Sequence, residues 1–353
     1  MKIAIIGTVG VPARYGGFET LAEQLAKGIK PEAHQLVIYC QRTAYPELNG
    51  GEHFEGHQRV LLPLRANGPA SMVHDMLAMA HAALIAKVDT LLVLGYSGAW
   101  FLPFVRLLRP RMRVVTNIDG MEWRRDKFGR GARALLRGLE VFAARFSHQV
   151  IADNTALVDL ARKLHRIEPR LIAYGGDHTV VAAKTSATLA RDYYLSIARI
   201  EPENNCHLIL AACAAANIPL VFIGNWAASS YGKTLKARYS DSRSLTLLDP
   251  VYDLGSLAAV RASAVGYIHG HSVGGTNPSL VEALFHTKNI LAFDCVFNTA
   301  TLADAGSYFG TVDDLIKLLR CEGAGLIDAT RLTALREQYR WTQIVDAYLD
   351  VCR

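Results

Sequence analysis

The chain alternates short, wholly apolar segments with longer segments of helical period, and this alternation constrains the fold more than any other feature. The first four apolar segments are KIAIIG (2–7), QLVIYC (35–40), TLLVLG (90–95) and RVVTNID (113–119). Helical patterns separate them, as over 18–29 and 70–87. Continuous apolar runs are typical of strands buried on both faces of a parallel sheet, so the alternation predicts a doubly wound α/β domain.

The alternation continues and then restarts, which indicates a second domain. QVIADN (149–154) and RLIAYGGD (170–177) extend the first set, and 178–191 has no clear period and is interpreted as a linker. The second set is YYLSIARI (193–200), PLVFIG (219–224), LTLLDPV (245–251), AVGYIHG (264–270) and NILAFD (289–294). We predict two Rossmann-like domains, over 1–177 and 192–330, with a ligand in the cleft at the carboxyl ends of the strands.

Three further features of the sequence limit the classes of protein to which the chain could belong. There is no run of eighteen apolar residues, so no transmembrane helix is expected. The N-terminus MKIAIIGTVG is interpreted as a first strand rather than a signal peptide. The six cysteines are scattered without a CxxC pair, which argues against a zinc site or a disulfide framework and fits a reducing cytoplasm.

The stretch HSVGGTNPSLVEAL (271–284) places two glycines and two small polar residues in front of a helical pattern. Asn277 is a natural N-cap and Pro278 suits the first helical position. Glycines allow a ligand to approach the backbone, and the first amides of a helix favour a phosphate. The candidate phosphate-binding residues are Gly274, Gly275, Thr276 and Asn277, and Glu282 could accept hydrogen bonds from sugar hydroxyls. An ordinary capped helix is the alternative.

A second glycine-rich loop, GTVGVPARYGGFET (7–20), follows the first strand. Gly16 and Gly17 precede a helix beginning near Phe18 and are candidates for phosphate contact, although a plain turn would explain them equally well. The loop is not G-x-G-x-x-G, and the chain has no complete P-loop motif G-x-x-x-x-G-K-[ST]. A nicotinamide dehydrogenase or an NTPase is therefore poorly supported.

Arg199 lies at the carboxyl end of the first strand of the second domain, in IARIEPENN (197–205). A guanidinium at that position suits a diphosphate, because it can bind two oxygens at once. The alternative is a surface salt bridge with Glu201 or Glu203.

Two carboxylates, Asp119 and Glu122, follow a strand in NIDGMEW (117–123). They could bind acceptor hydroxyls or act as a base. They could equally cap the next helix, and the sequence leaves both interpretations open.

Positive charge is concentrated in one segment, since residues 101–150 hold eleven Lys and Arg against four Asp and Glu. In 129–146, three arginines lie on one helical face and four large apolar residues on the opposite face: Arg130, Arg133 and Arg137 against Leu135, Leu139, Phe142 and Phe146. With Arg124, Arg125 and Lys127, they form a candidate patch over 124–137 for anionic lipid headgroups. The alternative is a buried helix with a solvated basic side. No aromatic-interleaved basic motif supports nucleic acid as the partner.

Five blocks, in order, resemble bacterial rhamnosyltransferase-like enzymes of glycosyltransferase family 4, which build capsule, O-antigen or exopolysaccharide. The blocks are GTVGVPARYGGFET, NIDGMEWRRDKFGR, IARIEPENN, PVYD and IHGHSVGGTNPSLVEAL. The resemblance covers nearly the whole chain, roughly residues 2–350.

The resemblance implies a GT-B fold, with the C-terminal helix, residues 331–353, returning to the N-terminal, acceptor-binding domain. It also implies a retaining reaction that needs neither a metal ion nor a cofactor. Arg199 and the backbone of the two glycine-rich loops would then neutralise the diphosphate, and Glu282 matches the second glutamate of the family Glu-x7-Glu signature. The first glutamate of that signature falls at Gly274, and a lysine common in the family is Asn204 here.

We therefore expect a cytoplasmic enzyme, peripheral on the inner face of the cytoplasmic membrane. It would transfer a sugar, L-rhamnose from dTDP-L-rhamnose, to a lipid-linked saccharide in cell-surface polysaccharide synthesis. One alternative is transfer from UDP-galactose or UDP-glucose. The other is a non-catalytic nucleotide-sugar-binding protein, which the two departures from the family signature motivate.

Overall fold

A computed structural model describes residues 1–14, 16–48, 53–118, 120, 123, 128–184 and 192–353. The chain divides into two compact units. Unit 1 comprises Met1–Ala173 and Trp341–Arg353, and unit 2 comprises Tyr174–Arg340. Residues 178–184 of the expected linker therefore belong to unit 2, whereas 185–191 lie outside the described residues.

Unit 1 is built on an eight-stranded sheet in the order β3-β4-β2-β1-β5-β6-β7-β8. Its strands are β1 (Lys2–Ile6), β2 (Gln35–Gln41), β3 (His53–Phe54), β4 (His57–Leu62), β5 (Thr90–Leu94), β6 (Arg113–Asn117), β7 (Gln149–Ala152) and β8 (Arg170–Leu171). Among its described strands, only β3 and β4 pair antiparallel. The central strands are buried along nearly their whole length, as their apolar sequences require.

The helices of unit 1 are α1 (Gly17–Gly28), α2 (Ser71–Leu84), α3 (Leu102–Leu108), α4 (Arg130–Phe146), α5 (Thr155–His165) and, from the end of the chain, α13 (Trp341–Cys352). Helix α1 connects β1 to β2, toward one edge of the sheet. Helices α2, α3 and α4 lead to β5, β6 and β7, toward the other edge. Because parallel crossovers are right-handed, α2, α3 and α4 form one layer on the face opposite α1. Neighbours in this layer contact one another, and α13 contacts α1.

The C-terminal segment differs from the single C-terminal helix expected over 331–353. Two helices replace it: α12 (Ala329–Gln338) in unit 2 and α13 in unit 1. The break follows Tyr339, whose hydroxyl donates to the carbonyl of Thr301 at 3.0 Å and whose carbonyl accepts from the amide of Gly176 at 2.9 Å. In unit 1, the hydroxyl of Tyr348 on α13 accepts from Asn117 Nδ2 at the end of β6.

Unit 2 contains a six-stranded parallel sheet in the order β11-β10-β9-β12-β13-β14. The strands are β9 (Tyr193–Ile197), β10 (Leu220–Ile223), β11 (Leu245–Leu248), β12 (Ala264–His269), β13 (Ile290–Phe293) and β14 (Ser307–Phe309). Its helices are α6 (Cys206–Ala216), α7 (Ser230–Arg238), α8 (Leu254–Ala262), α9 (Pro278–Leu284), α10 (Val296–Leu302), α11 (Val312–Arg320) and α12. The two doubly wound sheets predicted from the alternation are thus observed.

Candidate functional site

The glycine-rich loop of unit 2 joins β12 to α9, as the sequence predicts. Asn277 is the N-cap of α9, in extended conformation, and Pro278 occupies the first turn. Gly274 has a φ of 117°, a value that L side chains rarely adopt, so its glycine is required by the backbone. Gly275 and Thr276 are buried. The helix has only seven residues, so the loop backbone rather than a long helix dipole must supply most of any attraction for a phosphate.

Two loops at the same edge of the unit 2 sheet are joined by hydrogen bonds. β9 and β12 are adjacent, so the segments that follow them meet. The amide and hydroxyl of Ser272 both donate to the carbonyl of Glu203, at 3.0 and 2.7 Å. Asn205 Nδ2 donates to the carbonyl of Gly270 at 2.9 Å. The Arg199 loop and the glycine-rich loop therefore form one backbone assembly.

Arg199 is exposed within this assembly. It forms no salt bridge with a described residue, so the pairing with Glu201 or Glu203 considered from the sequence is not formed. Its carbonyl accepts from Asn204 Nδ2 at 2.8 Å. Asn204, which stands where the family often has lysine, is buried and braces the loop. The guanidinium is thus held on an ordered loop with its charge available to an anion.

Glu282 is engaged within unit 2 by a residue that the sequence did not single out. Arg261 Nη2 lies 2.5 Å from Glu282 Oε2, and the Arg261 side chain is only 5% exposed. His178 Nε2 lies 3.6 Å from Glu282 Oε1. Burial raises the pKa of Glu282, while the Arg261 guanidinium acts to lower it. The ion pair fixes one carboxylate oxygen and orients the other toward His178.

A stacked pair of histidines leads from β12 into the glycine-rich loop. The rings of His269 and His271 lie 4.5 Å apart, with 12° between their planes. Both nitrogens of His269 are buried without a hydrogen-bond partner among the described residues. Burial, with a smaller effect of His271, lowers the pKa of His269 well below its usual value, so this ring is neutral at pH 7. The pair is visible in the sequence as His-Gly-His at the end of a strand, but these histidines were not among the predicted site residues.

Gly16 and Gly17 of unit 1 lie at the start of α1. Gly16 is the N-cap residue, with a φ of 128°. A Cβ at Gly16 would lie 3.1 Å from the carboxylate of Glu19, which is itself buried. These contacts explain the glycine by backbone geometry, and the assignment of both glycines to phosphate contact stays a prediction.

The carboxylates Asp119 and Glu122, with Arg124, Arg125 and Lys127, lie outside the described residues. Trp123 lies within them. Its Nε1 donates to Glu140 Oε2 at 2.7 Å, and the guanidinium of Arg137 lies 5.6 Å from its ring centroid.

Helix α4 does not bury the apolar face that its sequence predicts. Leu135 and Phe142 are exposed, and the buried residues of the helix are Leu139, Glu140 and Ala143. The cause is Glu140, whose carboxylate binds Trp123 Nε1 and His165 Nε2 and thereby turns the Glu140 side of the helix inward. Arg130 and Arg137 are exposed, as the basic-face interpretation requires, whereas Arg133 is half-buried.

The described residues contain no group of three His, Cys, Asp or Glu side chains that could hold a metal ion. Among the described helices, none combines the length and the apolar character needed to span a bilayer.

Solved structures share this fold over nearly the whole chain. Sucrose-phosphate synthase from Thermosynechococcus elongatus matches with a TM-score of 0.81 and 14% identity, covering 99% of this chain and 97% of its own. For α,α-trehalose 6-phosphate synthase from Burkholderia multivorans the TM-score is 0.73 and the identity 11%, over 100% and 96%. The starch synthase IV catalytic domain from Arabidopsis thaliana, bound to ADP and acarbose, gives 0.68 and 12%, over 99% and 98%. The predicted GT-B fold class is thereby confirmed.

Sequence comparison gives a family for the first half of the chain. Residues 1–177 match the family described as Domain of unknown function (DUF1972). No curated protein matches the chain in sequence.

Proposed function

This chain belongs to the DUF1972 family, and we propose that it is a glycosyltransferase that takes its sugar from a nucleotide diphosphate. The observation that carries the proposal is the joined pair of loops at one edge of the unit 2 sheet. An unpaired, exposed Arg199 and a glycine-rich backbone are fixed side by side there. Cationic and amide donors that converge at the carboxyl ends of parallel strands suit a diphosphate. The GT-B fold agrees with this chemistry.

In the proposed donor complex, Arg199 binds the diphosphate bidentately and the amides of 275–277 donate to its oxygens. Gly274 keeps the approach clear of side chains. Glu282 accepts a hydrogen bond from a donor hydroxyl through the carboxylate oxygen that does not bind Arg261. The same donors would stabilise the nucleoside diphosphate as it leaves, since negative charge develops on it in the transition state. The sequence resemblance supports a retaining outcome.

The proposed donor and acceptor rest on the sequence resemblance. We favour dTDP-L-rhamnose as donor and a lipid-linked saccharide as acceptor, in polysaccharide synthesis at the inner face of the cytoplasmic membrane. Asp119 and Glu122 are the proposed acceptor-side carboxylates, and the basic segment 124–137 is a proposed contact with anionic headgroups. UDP-galactose or UDP-glucose is the alternative donor.

A thermal-shift screen of dTDP-, UDP- and GDP-sugars tests this proposal. A ligand that binds only the folded state raises the unfolding temperature by mass action, so the true donor should stand out. Transfer of the sugar to a synthetic acceptor, or slow hydrolysis of the donor, would exclude a protein that only binds nucleotide sugars. The absence of a shift with every nucleotide would contradict the proposal.

Replacing Arg199 with alanine is expected to weaken binding of the nucleoside diphosphate by about 2–4 kcal/mol, because a charge-assisted bidentate contact is lost. The unfolding temperature should not change, since the side chain is exposed and forms no salt bridge. Calorimetric titration measures the affinity. Arg320→Ala is the matched control, because Arg320 is an exposed arginine of the same unit at the end of α11. Equal affinity of the Arg199 and Arg320 variants would remove Arg199 from the site.

Transfer activity is expected to survive EDTA. The chain has no Asp-x-Asp pair to hold a metal-bound diphosphate, and Arg199 with the loop amides can carry the leaving-group charge instead. Initial rates with and without EDTA, and after adding Mg²⁺ or Mn²⁺, provide the measurement. Loss of activity that either ion restores would show that the reaction needs a metal.

A further inference from the structure

The layer formed by α2, α3 and α4 in unit 1 exposes an unusual amount of apolar surface. It holds nine of the nineteen large apolar side chains that are exposed among the described residues. On α3 they are Phe104, Leu107 and Leu108, spaced to lie on one side of the helix, while Leu102 and Val105 on the other side are buried. Leu107 is 79% exposed. We call this surface, with its exposed residues on all three helices, the α2–α4 face.

The three helices are neighbours in one layer, so their outward sides form a single surface. α3 contacts both α2 and α4. On α2 the exposed apolar residues include Val73 and Leu77, spaced by one helical turn, and on α4 they include Leu135 and Phe142. Contiguous exposed apolar surface of this extent is rare on a protein whose surface meets only water.

Arginines lie on and next to the helices of the α2–α4 face. Six form no salt bridge with a described residue: Arg106, Arg109, Arg111, Arg130, Arg137 and Arg145. The three helices, all of whose residues are described, carry only two carboxylates, and Asp75 and Glu140 are each 1% exposed. The α2–α4 face is therefore positive and apolar, with no exposed acid on its helices.

Several cations elsewhere on the surface are paired. Arg14 binds Glu47, Arg162 binds both Asp159 and Glu168, and Lys184 binds Asp253. The arginines of the α2–α4 face, by contrast, have no exposed carboxylate on these helices with which to pair. A partner with anionic groups would supply the negative charge that the α2–α4 face lacks.

From this combination we infer that the α2–α4 face inserts into the interface of a bilayer that contains anionic lipids. The leucines and phenylalanines enter the boundary between headgroups and acyl chains, and the guanidiniums bind lipid phosphates. This contact is broader than the basic segment 124–137, because α2 and α3 contribute most of its apolar residues. The functional reason for this membrane contact depends on the proposed lipid-linked acceptor. The experiment that tests the contact does not depend on that acceptor.

A second copy of the chain fits the α2–α4 face less well than a bilayer does. A two-fold interface brings the same patch of each subunit together. Arginines would then face arginines with no exposed carboxylate of these helices between them, and like charges at short range repel. Self-association through this face is therefore kept as an outcome of the experiment.

Co-sedimentation of the full chain with vesicles tests the inference. We expect binding to phosphatidylcholine vesicles that contain phosphatidylglycerol and weaker binding to pure phosphatidylcholine. Added salt should weaken the binding without abolishing it, because salt screens charge but not the burial of apolar side chains. The variant Leu107→Gln/Leu108→Gln should bind about tenfold or more weakly at all salt concentrations. Arg111→Gln/Arg137→Gln should lose the preference for anionic vesicles.

Val296→Gln is the matched control, since Val296 is 65% exposed but lies in unit 2, on α10. It should bind vesicles as the wild type does. Unchanged vesicle binding by the leucine variant, or no binding by the wild type, would overturn the inference. So would a wild-type dimer, seen by light scattering, that the leucine variant dissociates. Measuring the nucleotide affinity of the same proteins separates the membrane inference from the proposed transferase function. Vesicle binding can fail while the nucleotide still binds, and nucleotide binding can fail while the vesicles still bind.

Discussion

Replacing Arg261 with methionine is expected to lower the free energy of unfolding of unit 2 by about 3–5 kcal/mol, because it leaves a largely buried carboxylate without its partner. The guanidinium of Arg261 lies 2.5 Å from Glu282 and both side chains are shielded from water. Methionine keeps much of the length of the side chain, so the lost charge rather than a cavity should dominate. Urea denaturation followed by circular dichroism measures the change.

The loss should depend on pH in a defined direction. Burial already raises the pKa of Glu282 above its ordinary value of 4.5, and Arg261 opposes that rise. Without Arg261, the folded-state pKa rises further above the unfolded value. The folded state then binds a proton more tightly than the unfolded state, so stability falls as pH rises through the folded-state pKa. The deficit of Arg261→Met should therefore be largest near neutral pH and shrink in acid.

The double variant Arg261→Met/Glu282→Gln is the control for this interpretation. It removes both charges and should recover most of the stability at neutral pH, since a buried ion pair is often replaceable by uncharged groups of similar size. If the double variant is as unstable as Arg261→Met, then lost packing rather than an unpaired charge explains the effect.

Gly270→Ala is expected to weaken nucleoside diphosphate binding by about tenfold or more and to lower stability by about 1–3 kcal/mol. A Cβ at this position would lie 2.3 Å from the carbonyl oxygen of Asn204. The clash is with backbone, so a side-chain rotation cannot relieve it. The glycine-rich loop and the Arg199 loop must separate, and the convergence of their donors is lost.

Gly310→Ala provides the comparison for that variant within the same unit. A Cβ there would meet only Asp314 Oδ2, at 3.8 Å, an ordinary contact. Calorimetric affinity and thermal unfolding of both variants are the measurements. Wild-type affinity in Gly270→Ala would show that the junction of the two loops does not organise the site.

The fold was largely predictable because its central strands are uniformly apolar. β1 and β5 have no polar residue that faces water along their buried lengths, so the two-sided parallel sheet follows from sequence alone. The β3–β4 hairpin was missed because β4 carries buried polar residues. His57 bonds the amide of Leu36 and the carbonyl of Ile29, and Arg59 donates to the carbonyl of Val11. A strand with buried, hydrogen-bonded polar residues does not show the continuous apolar pattern by which the other strands are predicted.

The candidate site was predictable only where local chemistry decides the structure. Asn277 and Pro278 mark the start of α9 through capping preferences that act within one turn. The ion pair between Arg261 and Glu282 joins residues on different elements, and no sequence spacing predicts it. The period of α4 fixed which residues share a side but not which side is buried, and that depended on the partners of Glu140.

A crystal structure with the nucleoside diphosphate selected by the thermal-shift screen tests the central claim most directly. The account predicts phosphate oxygens within hydrogen-bonding distance of the backbone amides of 275–277 and of the Arg199 guanidinium, with Arg261 still bound to Glu282. A nucleotide bound elsewhere, with its phosphates beyond the reach of those amides, would contradict the account and leave 271–284 as an ordinary capped helix.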